Sequence, residues 1–169
     1  MIRRMSLTKR LLAELEFESA STIKMLERVP RDRFDWRPHE KSMALGQLAW
    51  HIATIPRTIG RLLAAGEFNL ENARPAGAPP DDADPVAEYK RNLEAIQQQI
   101  GALDDETARQ PFTIRKGAEV RQTLTNMIML RTILMNHTVH HRGQLSVYLR
   151  LLDVPVPAVY GTSADESGR

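Results

Sequence analysis

The segment Asn136-His137-Thr138-Val139-His140-His141-Arg142-Gly143-Gln144-Leu145-Ser146-Val147-Tyr148 decides how the chain is read, because it carries three of the five histidines in one run at helical spacing. Residues four apart lie on one face of an α-helix, so His137 and His141 aim their imidazoles at one point. Working outward, Met127, Leu130, Leu134, His137, His141, Gln144, Leu145, Tyr148 and Leu152 fall on a single stripe. That stripe predicts a helix from a cap at Thr123 to about Leu152, halted by Asp153 and Pro155. At about 100° per residue, His140 lies about 100° from the stripe's centre, on its flank. Ile128, Met135 and Val139 form a second apolar set on the far side, among Arg131, Arg142, Ser146 and Arg150. A helix apolar on two faces needs two neighbours: a partner chain, which is the reading favoured here and predicts a homodimer, or loops of the same chain.

Two imidazoles do not complete a metal site, and only His39 and His51 remain to supply a third. His39 follows Trp36-Arg37-Pro38 among charged neighbours, which predicts a solvated loop residue, with Trp36 anchoring that loop on the helices. His51 sits in a segment expected to be helical from a Ser42 cap through Met43 to Ala65, ended by Gly66. Ala44, Leu48, Ile52, Ile55, Ile59 and Leu62 mark its core face, and His51 lies within about 60° of the centre of that face. A lone histidine on an apolar face is ordinarily a hydrogen-bonded core residue; the pair on another helix makes His51 the candidate third ligand. Pro56 predicts a kink just past it, where a pocket can open.

The rest of the chain reads as scaffold. A first helix capped by Ser6 or Thr8 runs to about Arg28, with Leu11, Leu12, Leu15, Thr22 and Leu26 on its core face. Glu18 projects onto the same face, either at a snorkelling edge, the commoner outcome, or towards the interior. Asp84-Pro85 opens a third helix, with Val86, Tyr89, Leu93, Ile96 and Ile100 inward and an end near Leu103. Between the second and third helices, Gly66 to Asp84 is a long crossover loop rich in proline. Asp104 to Ala108 reads as a helical turn, and Pro111 to Val120 as a hairpin or an extended loop. The expected architecture is therefore all-α, a four-helix bundle with a long crossover between its second and third helices. It forms one domain over residues 1–169, with a core of about 6–153 and a tail, 154–169, that lies across the bundle and frays at its end.

Composition narrows the function classes. The chain has no cysteine, so disulfides, thiolate metal sites and a cysteine nucleophile are excluded, and any metal must be held by imidazole or oxygen. Its 23 basic and 21 acidic residues leave a net charge of +2, with no basic stripe interleaved with aromatics, so nucleic acid is not an expected partner. Met1-Ile2-Arg3-Arg4-Met5 is not followed by an apolar stretch, and no run reaches the roughly 18 apolar residues of a membrane span, which predicts a cytoplasmic protein.

His51 within Leu48-Ala49-Trp50-His51-Ile52-Ala53, His137 to Gln144 continuing into Leu145-Ser146-Val147-Tyr148-Leu149-Arg150, Trp36-Arg37-Pro38, and Val154-Pro155-Val156-Pro157 with Tyr160-Gly161 together resemble the DinB family of metalloproteins, over about residues 6 to 166. The resemblance implies a four-helix bundle, usually dimeric, with a nickel or zinc ion bound by one histidine of the second helix and a His-x3-His pair of the last. By position these are His51, His137 and His141. It also implies kinship with thiol-dependent transferases that use low-molecular-weight thiols, with a thiol-dependent isomerase and with hydrolases.

Three neutral imidazoles leave a divalent ion its full charge and an open position, the pattern of catalytic rather than structural zinc sites. Two functional classes follow. One is an enzyme that activates a small thiol or water, with Glu18 as the only acidic candidate for a general base and Gln144 as a group that holds a ligand or a substrate. The other is a metal-containing dimer that binds a small molecule without turnover.

Overall fold

The computed structural model describes residues 5–74 and 76–167; the two arginines near the N-terminus, Pro75 and the last two residues of the tail lie outside them. Helix α1 spans Leu7–Leu26 and is capped by the Ser6 side chain, which accepts from the Lys9 amide. Its inward residues Leu11, Leu15, Thr22 and Leu26 are buried at the expected spacing. Helix α2, Leu45–Ala65, ends at Gly66 in the left-handed conformation, φ 69°, which a residue without a Cβ adopts at no cost. Its start differs from the expected Ser42 cap. The N-cap is Ala44, whose amide donates to the Gln47 side chain, 3.3 Å away, so the reciprocal half of a capping box serves in place of a serine.

Helix α3, Pro85–Ala102, begins where Asp84-Pro85 predicts, the Asp84 carboxylate accepting from the amides of Val86 and Ala87. A short helix α4, Asp105–Arg109, follows. The last helix, α5, is one run in three successive stretches: Asn126–Met129, a π-helical segment Leu130–Asn136, and His137–Leu151, with Thr125 rather than Thr123 as its cap. The four long helices pack in a ring in which α1 and α2 each touch both α3 and α5. Leu15, Met25, Leu48, Ile52, Tyr89, Ile96, Leu134 and Leu145 fill the core between them. Trp36 anchors the first loop, standing edge-on to Tyr148 with ring centroids 5.7 Å apart.

The all-α expectation is corrected by a sheet. Strand β1, Glu67–Asn69, lies in the crossover; β2, Pro111–Lys116, and β3, Glu119–Thr125, form the hairpin that was one of two readings of that segment. β1 runs parallel to β2, and β2 antiparallel to β3, so the sheet is mixed and three-stranded. Fully buried Phe112 pins it to the core, and Gly117, at φ 59°, makes its turn. Among the described residues the protein is thus a mostly helical bundle of five helices with a sheet, not a pure four-helix one. Among the described residues no helix is long and apolar enough to cross a membrane.

The second apolar set on α5 is covered in part from within the chain. Met135 and Val139 look onto a groove shared with Ala13, Phe17 and Glu18 of α1, and Arg142 is buried there. The Arg142 guanidinium donates to Glu18 Oε2 at 2.7 Å, to the Glu18 carbonyl at 2.8 Å and to the Tyr160 hydroxyl at 2.7 Å, and that hydroxyl in turn donates to Glu18 Oε2 at 2.8 Å. This pairing fixes the tail across the bundle. Beyond it the described part of the tail folds back, Asp165 accepting from Arg150 and from the Val156 amide.

Candidate metal centre

His51 reaches the site from the middle of α2, and His137 and His141 from the first turns of α5 after its π segment. A π turn inserts an extra residue and re-phases whatever follows it, and here it ends at Asn136, directly before His137. The three Nε2 atoms form a nearly equilateral triangle: His51 to His137 is 3.2 Å, His51 to His141 3.1 Å, and His137 to His141 3.2 Å. The rings stand almost mutually perpendicular, at 86°, 88° and 90°. Three nitrogens held about 2.0–2.1 Å from one ion stand about 2.8–3.0 Å apart in octahedral and about 3.3–3.4 Å apart in tetrahedral geometry, and the observed spacing between these fits a divalent transition metal.

The protonation pattern fits as well. His141 Nδ1 lies 2.7 Å from Gln144 Oε1, an acceptor, so the ring proton sits on Nδ1 and the Nε2 lone pair points into the triangle. Burial, with the neighbouring His141 and His137 rings adding to it, pulls the His51 imidazole down to about 4. Burial and then the His141 and His140 rings do the same for His137, also to about 4. Burial lowers His141 too, against an opposing pull from its bond to Gln144. All three are therefore neutral at pH 7, the form in which imidazole binds a metal.

The other expected site residues fall elsewhere. His140 is exposed and meets only the edge of the His141 ring, centroids 4.9 Å apart. His39 is exposed, its Nδ1 accepting from the Lys41 amide. Glu18 is neither a free edge residue nor a base beside the histidines: it is spent on Arg142 and Tyr160, and lines the groove between α1 and α5. His51 and His137 instead open onto a cavity of about 870 Å³ between α2, β1, the crossover and α5, with His141 buried behind them. Gln47, one turn before His51 on the same face of α2, lines that cavity and donates to the Ala76 carbonyl, tying the crossover over it. Its i−4 relation to His51 was a usable signal in the sequence; Phe68, Asn69 and Asn72, brought in by the crossover, gave none.

A helical bundle that converges three imidazole nitrogens from two helices at the mouth of a cavity defines a protein with a three-histidine centre suited to a metal ion. The chain belongs to the DinB family, whose profile matches residues 4–168. It is similar to the uncharacterised protein YrdA of Bacillus subtilis (strain 168), 25% identical over 157 residues that cover 92% of this chain and 89% of that one. The crystal structure of a DinB-like protein from Bacillus cereus ATCC 10987 superposes with a TM-score of 0.72 at 24% identity, covering 89% of this chain and 95% of that one. A DinB-like protein from Bacillus subtilis superposes with a TM-score of 0.70 at 19% identity, covering 90% and 98%. These two likenesses are of fold.

Proposed function

We propose that the protein is a divalent-metal-dependent enzyme, with nickel or zinc held by His51, His137 and His141, that activates a small thiol or water for attack on a bound substrate. The observation that carries this reading is the triangle of Nε2 atoms, two of whose histidines, His51 and His137, line the cavity. When bound, the ion supplies Lewis acidity at an open position, enough to bring the pKa of a coordinated water or thiol towards 7. The chain supplies the rest. The three imidazoles are neutral, so they leave the ion its full charge, and Gln144 holds the His141 ring in the ligating tautomer.

The carboxylates favour the thiol form over hydrolysis. A water mechanism calls for a general base, yet among the described residues lining the cavity the one carboxylate is Glu67, already paired with Arg115 at 2.6 Å. A free thiol starts at a pKa of about 8.5 against about 15.7 for water, so the ion alone brings it to thiolate at neutral pH, its proton passing to solvent. The test is a panel of low-molecular-weight thiols with electrophilic acceptors, run with metal-loaded protein beside ester and amide substrates. Thiol-dependent turnover that His51→Ala abolishes is expected. Stoichiometric metal without turnover across the panel would overturn the enzyme reading in favour of a metal-containing binding protein.

A further inference from the structure

We infer that the cavity beside the three histidines takes a small molecule with an extended apolar body and a sulfur- or oxygen-bearing head, the head at His51 and His137 and the body lying along α2 towards Leu62. This rests on the reading of the histidines as a metal centre and adds to it the class of molecule that centre serves. Ile55, Ile59 and Leu62 succeed His51 at helical spacing, so one face of α2 offers histidine at one end and, apart from Thr58, hydrocarbon beyond it. Leu62 lies about 16 Å from His51 along the helix axis. Phe68 from β1 and Ile133 from the π segment supply facing apolar wall.

Charge excludes the other obvious ligands. Apart from the histidines, the ionisable groups among the described lining residues are Glu67 and Arg74. Glu67 is neutralised by Arg115, and Arg74 turns its guanidinium back onto the carbonyls of Glu71 and Ala73, each 3.0 Å away. A phosphorylated or polyanionic ligand would find no cluster of cations here, and a sugar would leave the hydrocarbon wall unmatched. A long apolar body removes that wall from water, and a single electron-pair donor at its end meets the metal.

The experiment is isothermal titration of the metal-loaded protein with straight-chain carboxylates from acetate to tetradecanoate. Affinity should rise up to about fourfold per added methylene and then level off once the tail reaches Leu62. Leu62→Trp should bring the plateau to a shorter chain, and Leu62→Phe provides the same readout if the larger ring disturbs folding. An affinity flat across the series, or a rise whose plateau neither variant moves, would overturn the proposal. The same series on metal-free protein separates the two readings. If the metal reading alone is wrong, the chain-length dependence persists and nickel or zinc adds nothing to any homologue. If the cavity reading alone is wrong, the protein keeps its ion and decanoate binds no better than acetate.

Discussion

At the residue scale, Gln144 decides which nitrogen of His141 faces the site. A ring free to choose its tautomer spends part of its time with the proton on Nε2, where it cannot ligate. Gln144→Ala should weaken metal affinity by about tenfold or more, measured by competition with a chelator, whereas Gln144→Glu should keep it, since a carboxylate accepts the same proton. The lowered histidines set the pH response. Because His51 and His137 titrate near 4 in the folded chain and about 6.5 when unfolded, the unfolded state takes up protons first as pH falls. The stability they contribute is present above about 6.5 and is lost between there and 4, which urea melts of metal-free protein across that range should show. The convergence of His51, His137 and His141 was legible in the sequence by helical phase, because His51 lies near the core face of α2 and His137 and His141 stand four apart in the regular helix after the π segment. Glu18 was not: its partner Arg142 falls on a face that reads as polar, and nothing local tells a solvated arginine from one buried against another helix.

At the scale of elements, α5 holds two functions on opposite faces, histidines towards α2 and Arg142 towards α1. Arg142 is 3% exposed in its side chain and Glu18 19%, so removing the cation leaves a partly buried carboxylate without its partner. Arg142→Ala should cost about 3 kcal/mol in a denaturant melt and release Tyr160 and the tail, while the three-histidine triangle stays. The long helices were readable because their apolar residues recur every three or four positions over many turns. The π segment was not, since Leu130–Asn136 carries the same apolar spacing as the α-helix on either side of it, and only the backbone hydrogen bonding differs. Strand β1, unlike the hairpin that was one of two readings, failed to show for a different reason. Three residues, Glu67–Asn69, are too few to display an alternation, and their partner β2 lies more than forty positions away, so the strand exists only because the fold brings the two together.

At the scale of the whole molecule, the histidine centre ties the middle of α2 to the middle of α5, so a ligand there should brace the fold as well as serve chemistry. Occupancy at about a hundred times the dissociation constant is worth about 2.7 kcal/mol, and nickel or zinc should raise the melting temperature of the wild-type protein while leaving that of His51→Ala unmoved. The measurement that tests the account most directly is elemental analysis of the purified protein after incubation with nickel or zinc and desalting, run beside His51→Ala and His140→Ala. Close to one ion per chain in the wild type and in His140→Ala, with almost none in His51→Ala, is the expected result. Less than about a tenth of an equivalent in folded wild type, or retention unaltered by His51→Ala, would contradict it.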